Sequence, residues 1–265
     1  MSELNFPWKT GMKYVAGGDF IPSDLQPSTT SNMYNSAPNP VIDVKVNTSS
    51  CTDMQYMFSD AKMYAIDSFD TSNVTNMQYM FSDCDGLVTI PQLDTTNVTN
   101  MIYFLNYCKN VYEIPMLDTS NVLSMSNLLR GAKIITFPQW NMSKVTDVSN
   151  LFNDCKWLID VPELDWGAVK TCQYPFGTAN LSTVANLGGF KDLGKEKSIS
   201  GTTSYFLNVV PNLTHESLMN VINKLYDRKT AGYSTLSLKF GSTNLGKLTD
   251  EEKAIATNKG YTLTS

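Results

Sequence analysis

The sequence predicts an α/β solenoid, a stack of about six 23–24-residue units that each supply a turn, a short helix and a short parallel strand. Three observations predict it. A 15-residue pattern returns at separations of 23, 24, 24, 23 and 24 residues. Within a copy the apolar residues fall at i, i+3, i+4 and i+7, the spacing of one helix face. Four copies then run into branched and aromatic residues that stop at proline. A unit this short cannot bury its own apolar face, and stacking copies does so.

The copies are NTSSCTDMQYMFSDA (47–61), DTSNVTNMQYMFSDC (70–84), DTTNVTNMIYFLNYC (94–108), DTSNVLSMSNLLRGA (118–132) and NMSKVTDVSNLFNDC (141–155). A worn sixth copy, DWGAVKTCQYPFGTA, covers 165–179. Each opens on Asp70, Asp94, Asp118 or Asp165, or on Asn47 or Asn141. Asp or Asn before Ser or Thr reads as a turn in which the side chain satisfies nearby backbone N–H groups. The next column, Cys51, Val74, Val98, Val122, Val145 and Val169, is assigned to the interior. Met77, Met80, Phe81 and Cys84 then predict a helix face, repeated by Met101, Phe104, Leu105 and Cys108 and by Met125, Leu128, Leu129 and Ala132.

Each unit closes on LVTIP (87–91), VYEIP (111–115), IITFP (134–138) or LIDVP (158–162). Branched and aromatic residues favour a strand, and proline cuts it short. Parallel pairing of successive strands at about 4.8 Å gives a rod of roughly 29 Å. The five cysteines interchange with Ala, Val and Met, which predicts buried, inert thiols rather than a disulfide framework.

The net charge of −5 argues against nucleic acid, whose binding needs a basic face. No apolar run is long enough to span a bilayer, so membrane insertion is not expected. The opening MSELNFPWKTGMKYVAGGDF has neither a basic nor an apolar signal region and does not read as a secretory leader.

The unit DTSNVTNMQYMFSDCDGLVTIP closely resembles the BspA-like leucine-rich-repeat surface proteins, over about residues 47–180. Such repeats occur in bacterial adhesins and in proteins from phages of gut bacteria. The segments 188–198, 213–227 and 236–263 resemble the C-terminal portion of relatives from gut Bacteroidales and their crAss-like phages. Read on its own residues, Thr214 caps a helix with Leu218, Val221, Ile222 and Leu225 inward, LSLKF is a strand, and Thr249 caps a helix that ends at Gly260.

The expected organisation is therefore an irregular N-terminal arm over 1–45, a leucine-rich-repeat-like solenoid over 46–190 and α/β capping repeats over 191–265. The arm is rich in proline yet carries Trp8, Tyr14, Phe20 and Tyr34, and is read as an attachment segment that gains order by docking on another protein, the alternative being an N-terminal cap packed on the first unit. A second candidate site is the aromatic column Tyr56, Tyr79, Tyr103 and Tyr174, interrupted by Asn127 and Asn150. Tyrosines in register can anchor a sugar or a protein, or simply cover one another. Trp140, Trp157 and Trp166 are assigned to the core and its edges.

No catalytic constellation, cofactor or metal is expected. The single histidine, His215, lies beside a helix cap with no nucleophile motif near it. The Asp column could in principle hold Ca²⁺ or act as a glycosidase pair, but capping accounts for every copy, including the Asn replacements. With the missing leader, the resemblance implies a non-enzymatic phage virion protein, of tail or tail fibre, presenting a repeat surface. Its expected partners are other virion proteins, a host surface glycan or protein, and further copies of itself. The alternatives are a bacterial cell-surface adhesin and, more weakly, a carbohydrate-active enzyme.

Overall fold

The computed structural model describes residues 28–38, 41–42, 47–177, 183–201 and 206–265. Its backbone is organised by one parallel ladder. Single bridges link Thr29 to Asp53, Asp53 to Asn76, Asn76 to Asn100, Asn100 to Ser124, Ser124 to Asp147, Asp147 to Thr171 and Thr171 to Ser200. Successive repeats therefore lie side by side, each giving one rung.

The segment after each rung is not a helix, against the expectation from the apolar spacing. Backbone N–H groups alternate instead between two uses. Met77, Tyr79, Phe81 and Asp83 donate to Asn100, Ile102, Phe104 and Asn106 of the next unit at 2.8–3.0 Å. Met80, Ser82 and Cys84 close local turns on Met77, Tyr79 and Phe81 at 3.1–3.3 Å. Such linked turns need a left-handed residue every fourth position. Tyr79 (φ 56°) and Asp83 (φ 61°) supply it, as do Tyr56 and Asp60, and Asn150 and Asp154. Two four-residue turns in series point residues i, i+3, i+4 and i+7 inward, which is also the helical spacing. That coincidence is why periodicity alone predicted a helix.

The inward residues make the core. Met77, Met80, Phe81 and Cys84 are fully buried, as are their counterparts in neighbouring units. Phe58 stacks on Phe81 at 5.3 Å, and Phe81 meets Phe104 edge-on at the same distance. Burying a side chain of this size contributes roughly 1.5–3 kcal/mol. Buried Thr48, Thr71, Thr95 and Thr119 donate their hydroxyls to the backbone carbonyls of Asp70, Asp94, Asp118 and Asn141 in the following unit. The five cysteines are buried and form no disulfide with one another, and Cys84, Cys108 and Cys155 donate to carbonyls of the preceding unit.

Strands are fewer than the proline-terminated runs suggest. The two-residue strands are β1 (Val41–Ile42), β2 (Ala65–Ile66), β3 (Asp160–Val161), β4 (Leu164–Asp165), β5 (Asn186–Leu187) and β6 (Phe190–Lys191). They pair in parallel as β1–β2, β3–β5 and β4–β6. The runs at 87–91 and 111–115 carry no strand. Regular pairing is concentrated instead at the rungs just ahead of the buried methionines.

The stack also starts earlier than 46. Thr30, Asn32, Tyr34 and Ser36 donate to Asp53, Gln55, Met57 and Ser59, and Asn32 and Ser36 are left-handed. Residues 28–38 thus form a further unit within the segment assigned to the arm. Their sequence, STTSNMYNSAP, lacks the Asp-Thr and Val columns by which copies are recognised.

Beyond the last rung lie α1 (His215–Lys224), β7 (Leu236–Lys239), α2 (Ser242–Leu245), α3 (Asp250–Asn258) and β8 (Tyr261–Thr264). Thr214 caps α1 by accepting from Ser217, and Leu218, Val221, Ile222 and Leu225 are buried. Thr249 and Glu252 form a reciprocal capping box on α3, and Gly260 follows it at φ 87°. β7 and β8 pair in parallel over four residues each. Arg228, 1% exposed, holds this region by donating to the carbonyls of Gly194, Glu196, Lys197 and Ser234. One continuous core runs from Met33 to Tyr261.

Candidate binding surface

The feature that stands out at the surface is a row absent from the sequence reading. Met63, Leu87, Val111, Ile134 and Leu158 are buried, and the residue that follows each is turned outward. Those following residues are Tyr64, Val88, Tyr112, Ile135 and Ile159, exposed by 54, 45, 37, 39 and 46%. Backbone bonds link three of the four neighbouring pairs, from Val88 to Tyr64 (3.4 Å), Ile135 to Tyr112 (3.2 Å) and Ile159 to Ile135 (2.8 Å). Large apolar side chains aligned on five successive units form a patch of the kind that marks contact surfaces.

Trp157 borders this row. The sequence assigned it to the core edge, yet it is 57% exposed, whereas Trp140 and Trp166 are buried. It lines a cleft of about 350 Å³ together with Tyr107, Lys109, Gly131, Lys133, Asp154 and Lys156. Lys109 pairs with Asp85 and Lys156 with Asp154, each at 3.0 Å. Lys133 donates to the Tyr112 hydroxyl at 3.1 Å and lies 4.9 Å from the Trp157 ring centre.

The tyrosine column behaves differently. Tyr56, Tyr79 and Tyr103 stack with ring centres 4.5 and 4.4 Å apart and planes within 10°. Burial and the neighbouring tyrosines push the Tyr79 hydroxyl up to about 12. The rings spend their faces on one another and leave their edges outward. Tyr174 is separated from this stack by Asn127 and Asn150, so the four candidates are not brought together. All six positions have φ between 52° and 56° or 58°. Asn replaces Tyr there because Asn tolerates the left-handed region well. The alternation reflects backbone geometry first.

Tyr34, a candidate of the attachment arm, is 2% exposed and stacks on Phe58 at 5.4 Å, so it belongs to the core. Trp8, Tyr14 and Phe20 lie outside the described residues. In the Asp column every side chain accepts a backbone N–H two residues on, as Asp70 does from Ser72 (2.9 Å), Asp94 from Thr96 (3.0 Å) and Asn141 from Ser143 (3.0 Å). The bonds from Ser72 and Ser120 hold the carboxyls of Asp70 and Asp118 below the usual range. Among the described residues no three His, Cys, Asp or Glu side chains converge as metal ligands would. His215 bonds Glu252 at 2.8 Å, tying α1 to α3. Burial pushes the thiols of Cys51 up to about 11 and of Cys84 and Cys172 to about 12. Among the described residues no helix is long and apolar enough to cross a membrane.

The family described as "Mycoplasma protein of unknown function, DUF285" matches residues 28–111 and again 87–187, together more than half of the chain. The chain belongs to this family. No curated protein and no solved structure matches it. The DUF285 match opens at 28, one residue before the first rung at Thr29, and closes at 187, the end of β5. It therefore includes the early unit over 28–38. Membership in DUF285 agrees with a repeat surface protein of BspA-like type.

Proposed function

We propose that the protein is a non-enzymatic component of a phage virion, in the tail or tail fibre, that works as a leucine-rich-repeat-like solenoid. In this reading the stacked units hold a contact surface in register for a host receptor or a neighbouring virion protein. The observation that carries it is the row Tyr64, Val88, Tyr112, Ile135 and Ile159, exposed on successive units whose backbones are fixed to one another. Side chains that do not serve the core, repeated along a rigid edge, suit a large partner more than a small substrate. The virion assignment draws on the likeness of 188–198, 213–227 and 236–263 to proteins of gut Bacteroidales phages.

Peptide mass spectrometry of gradient-purified virions tests the assignment. Peptides of this chain in constant ratio to the major capsid protein are expected. Recovery only from the envelope of uninfected cells would transfer the protein to the second reading, a bacterial cell-surface adhesin, which the bacterial description of the matching family favours. For the enzymatic alternative, Asp94→Asn is expected to leave glycan turnover unchanged, because Asp94 is engaged by the Thr96 backbone and hydroxyl.

A further inference from the structure

Comparing equivalent positions of the units shows where the repeat departs from its own pattern. One left-handed column reads Asp60, Asp83, Tyr107, Gly131 and Asp154. Two residues further on stand Lys62, Asp85, Lys109, Lys133 and Lys156. Where both Asp and Lys are kept they neutralise each other, Lys62 with Asp60 at 2.6 Å and Lys156 with Asp154 at 3.0 Å. In the units of Tyr107 and Gly131 the acid is gone while Lys109 and Lys133 remain. Lys109 finds Asp85 of the preceding unit, and among the described residues Lys133 has no carboxylate partner. Gly131 has a second consequence. A Cβ there would come within 2.3 Å of the Tyr107 ring, so the glycine is what lets that ring lie across the unit. Arg130 sits 5.5 Å over the same ring, and its Nε has no hydrogen-bond partner among the described residues. Trp157, where the corresponding turns have Gly86 and Asn110, completes an aromatic wall.

We infer that this cleft binds a hexuronate residue of an acidic polysaccharide. The inference rests on the reading of the protein as a contact module and names the ligand of one site on it. The exposed indole of Trp157 and the Tyr107 ring offer flat apolar faces for the C–H face of a pyranose. Lys133 supplies the cation for the ring carboxylate, and its hydrogen bond to Tyr112 holds it beside the indole. A volume of about 350 Å³ lies at the small end of ligand sites, which run from about 300 Å³. With Lys109 paired to Asp85 and Lys156 to Asp154, Lys133 is the cation of the cleft left to meet an anion, on a protein whose net charge of −5 repels anions elsewhere. An acidic peptide is a poorer fit. The local backbone N–H groups of Lys133, Ile135 and Ile159 are already bound to neighbouring units, so no strand edge is offered.

Isothermal titration of the full chain with a galacturonate oligomer tests this. Saturable binding is expected, weakened at least tenfold by Trp157→Ala and by Lys133→Ala and lost progressively as salt rises. The double substitution Tyr107→Asp with Gly131→Asp restores the repeat's own pattern and gives Lys133 an acid, so it is expected to fold and to weaken binding at least tenfold. Lys62→Ala, at an equivalent but neutralised position, is expected to leave affinity unchanged. Equal affinity for a neutral oligomer of the same length, tighter binding of a poly-glutamate peptide, no binding, or indifference to Trp157 and Lys133 would each overturn it. Adsorption of the labelled chain to host cells is measured in parallel. Adsorption without galacturonate binding removes the ligand and leaves the contact reading, whereas galacturonate binding without adsorption or virion incorporation does the reverse.

Discussion

Gly131→Ala probes the turn architecture at a left-handed joint that packs against a neighbouring ring. Two costs are read from the structure. Gly131 has φ +70°, and a left-handed conformation costs an L-residue about 1–2 kcal/mol. The new methyl carbon would also stand 2.3 Å from Cδ1 of Tyr107, which forces that ring off its rotamer for about 0.5–1.5 kcal/mol more. The sum is about 1.5–3.5 kcal/mol, a loss of roughly 3–14 °C in Tm for a chain of this size. The two parts separate experimentally. Asp83 and Asp154 show that the backbone accepts a side chain in this conformation, at φ 61° and 63°. Combining Gly131→Ala with Tyr107→Asp is therefore expected to recover the ring's share and leave the backbone's. Calorimetry of the parent, both single variants and the double variant closes the cycle. Gly131 in an ordinary right-handed turn would instead give a variant stabilised by about 0.4–1 kcal/mol, because alanine restricts the unfolded chain. A Gly131→Ala protein that melts at or above the parent temperature would refute the turn geometry.

Two further outcomes follow from the same structure. The thiols of Cys51, Cys84 and Cys172, and the Tyr79 hydroxyl, all titrate above their ordinary values of 9 and 10, reaching about 11, 12, 12 and 12. Their contribution is complete below the unfolded values and is lost as pH rises through the folded ones. Tm is expected to be flat from neutral pH to about 9 and then to fall steeply towards 12, and a flat profile across that window would contradict the burial of these groups. Thr249→Ala removes the capping box of α3 and is expected to cost about 0.5–2 kcal/mol by denaturant titration, with no effect on galacturonate binding.

Much of the core was legible in the sequence because repetition shows each column several times over. The Val, Met, Phe and Cys columns are buried, the Asp column does cap its turns, and Thr214 and Thr249 start the helices that follow them. The secondary structure of the unit was not legible from hydrophobic spacing, since paired four-residue turns and a helix bury the same positions. The distinguishing signal lay elsewhere. Asn127 and Asn150 replace tyrosine, and Gly131 replaces aspartate four residues on, and these are the residue types that left-handed backbone prefers. The early unit at 28–38 escaped because it keeps only Met33, Tyr34 and Ala37 of the core pattern. The outward row escaped because Val88, Ile135 and Ile159 read as ordinary strand residues until their neighbours are seen to fill the core. The cleft depends on Lys133 lacking the acid that its equivalents have, which becomes visible only when pairing across units is known.

The claim that the outward row is a contact surface rather than a folding element is tested most directly by Tyr64→Thr, Val88→Thr, Ile135→Thr and Ile159→Thr combined. Threonine keeps the branched, extended preference while removing apolar contact. Surface changes of this kind cost about 0.5 kcal/mol or less each. Tm and either adsorption to host cells or incorporation into virions are measured on the same preparation. The account predicts a Tm within a few degrees of the parent and at least a tenfold loss of adsorption or incorporation. Unchanged adsorption and incorporation in a protein that melts normally would contradict it.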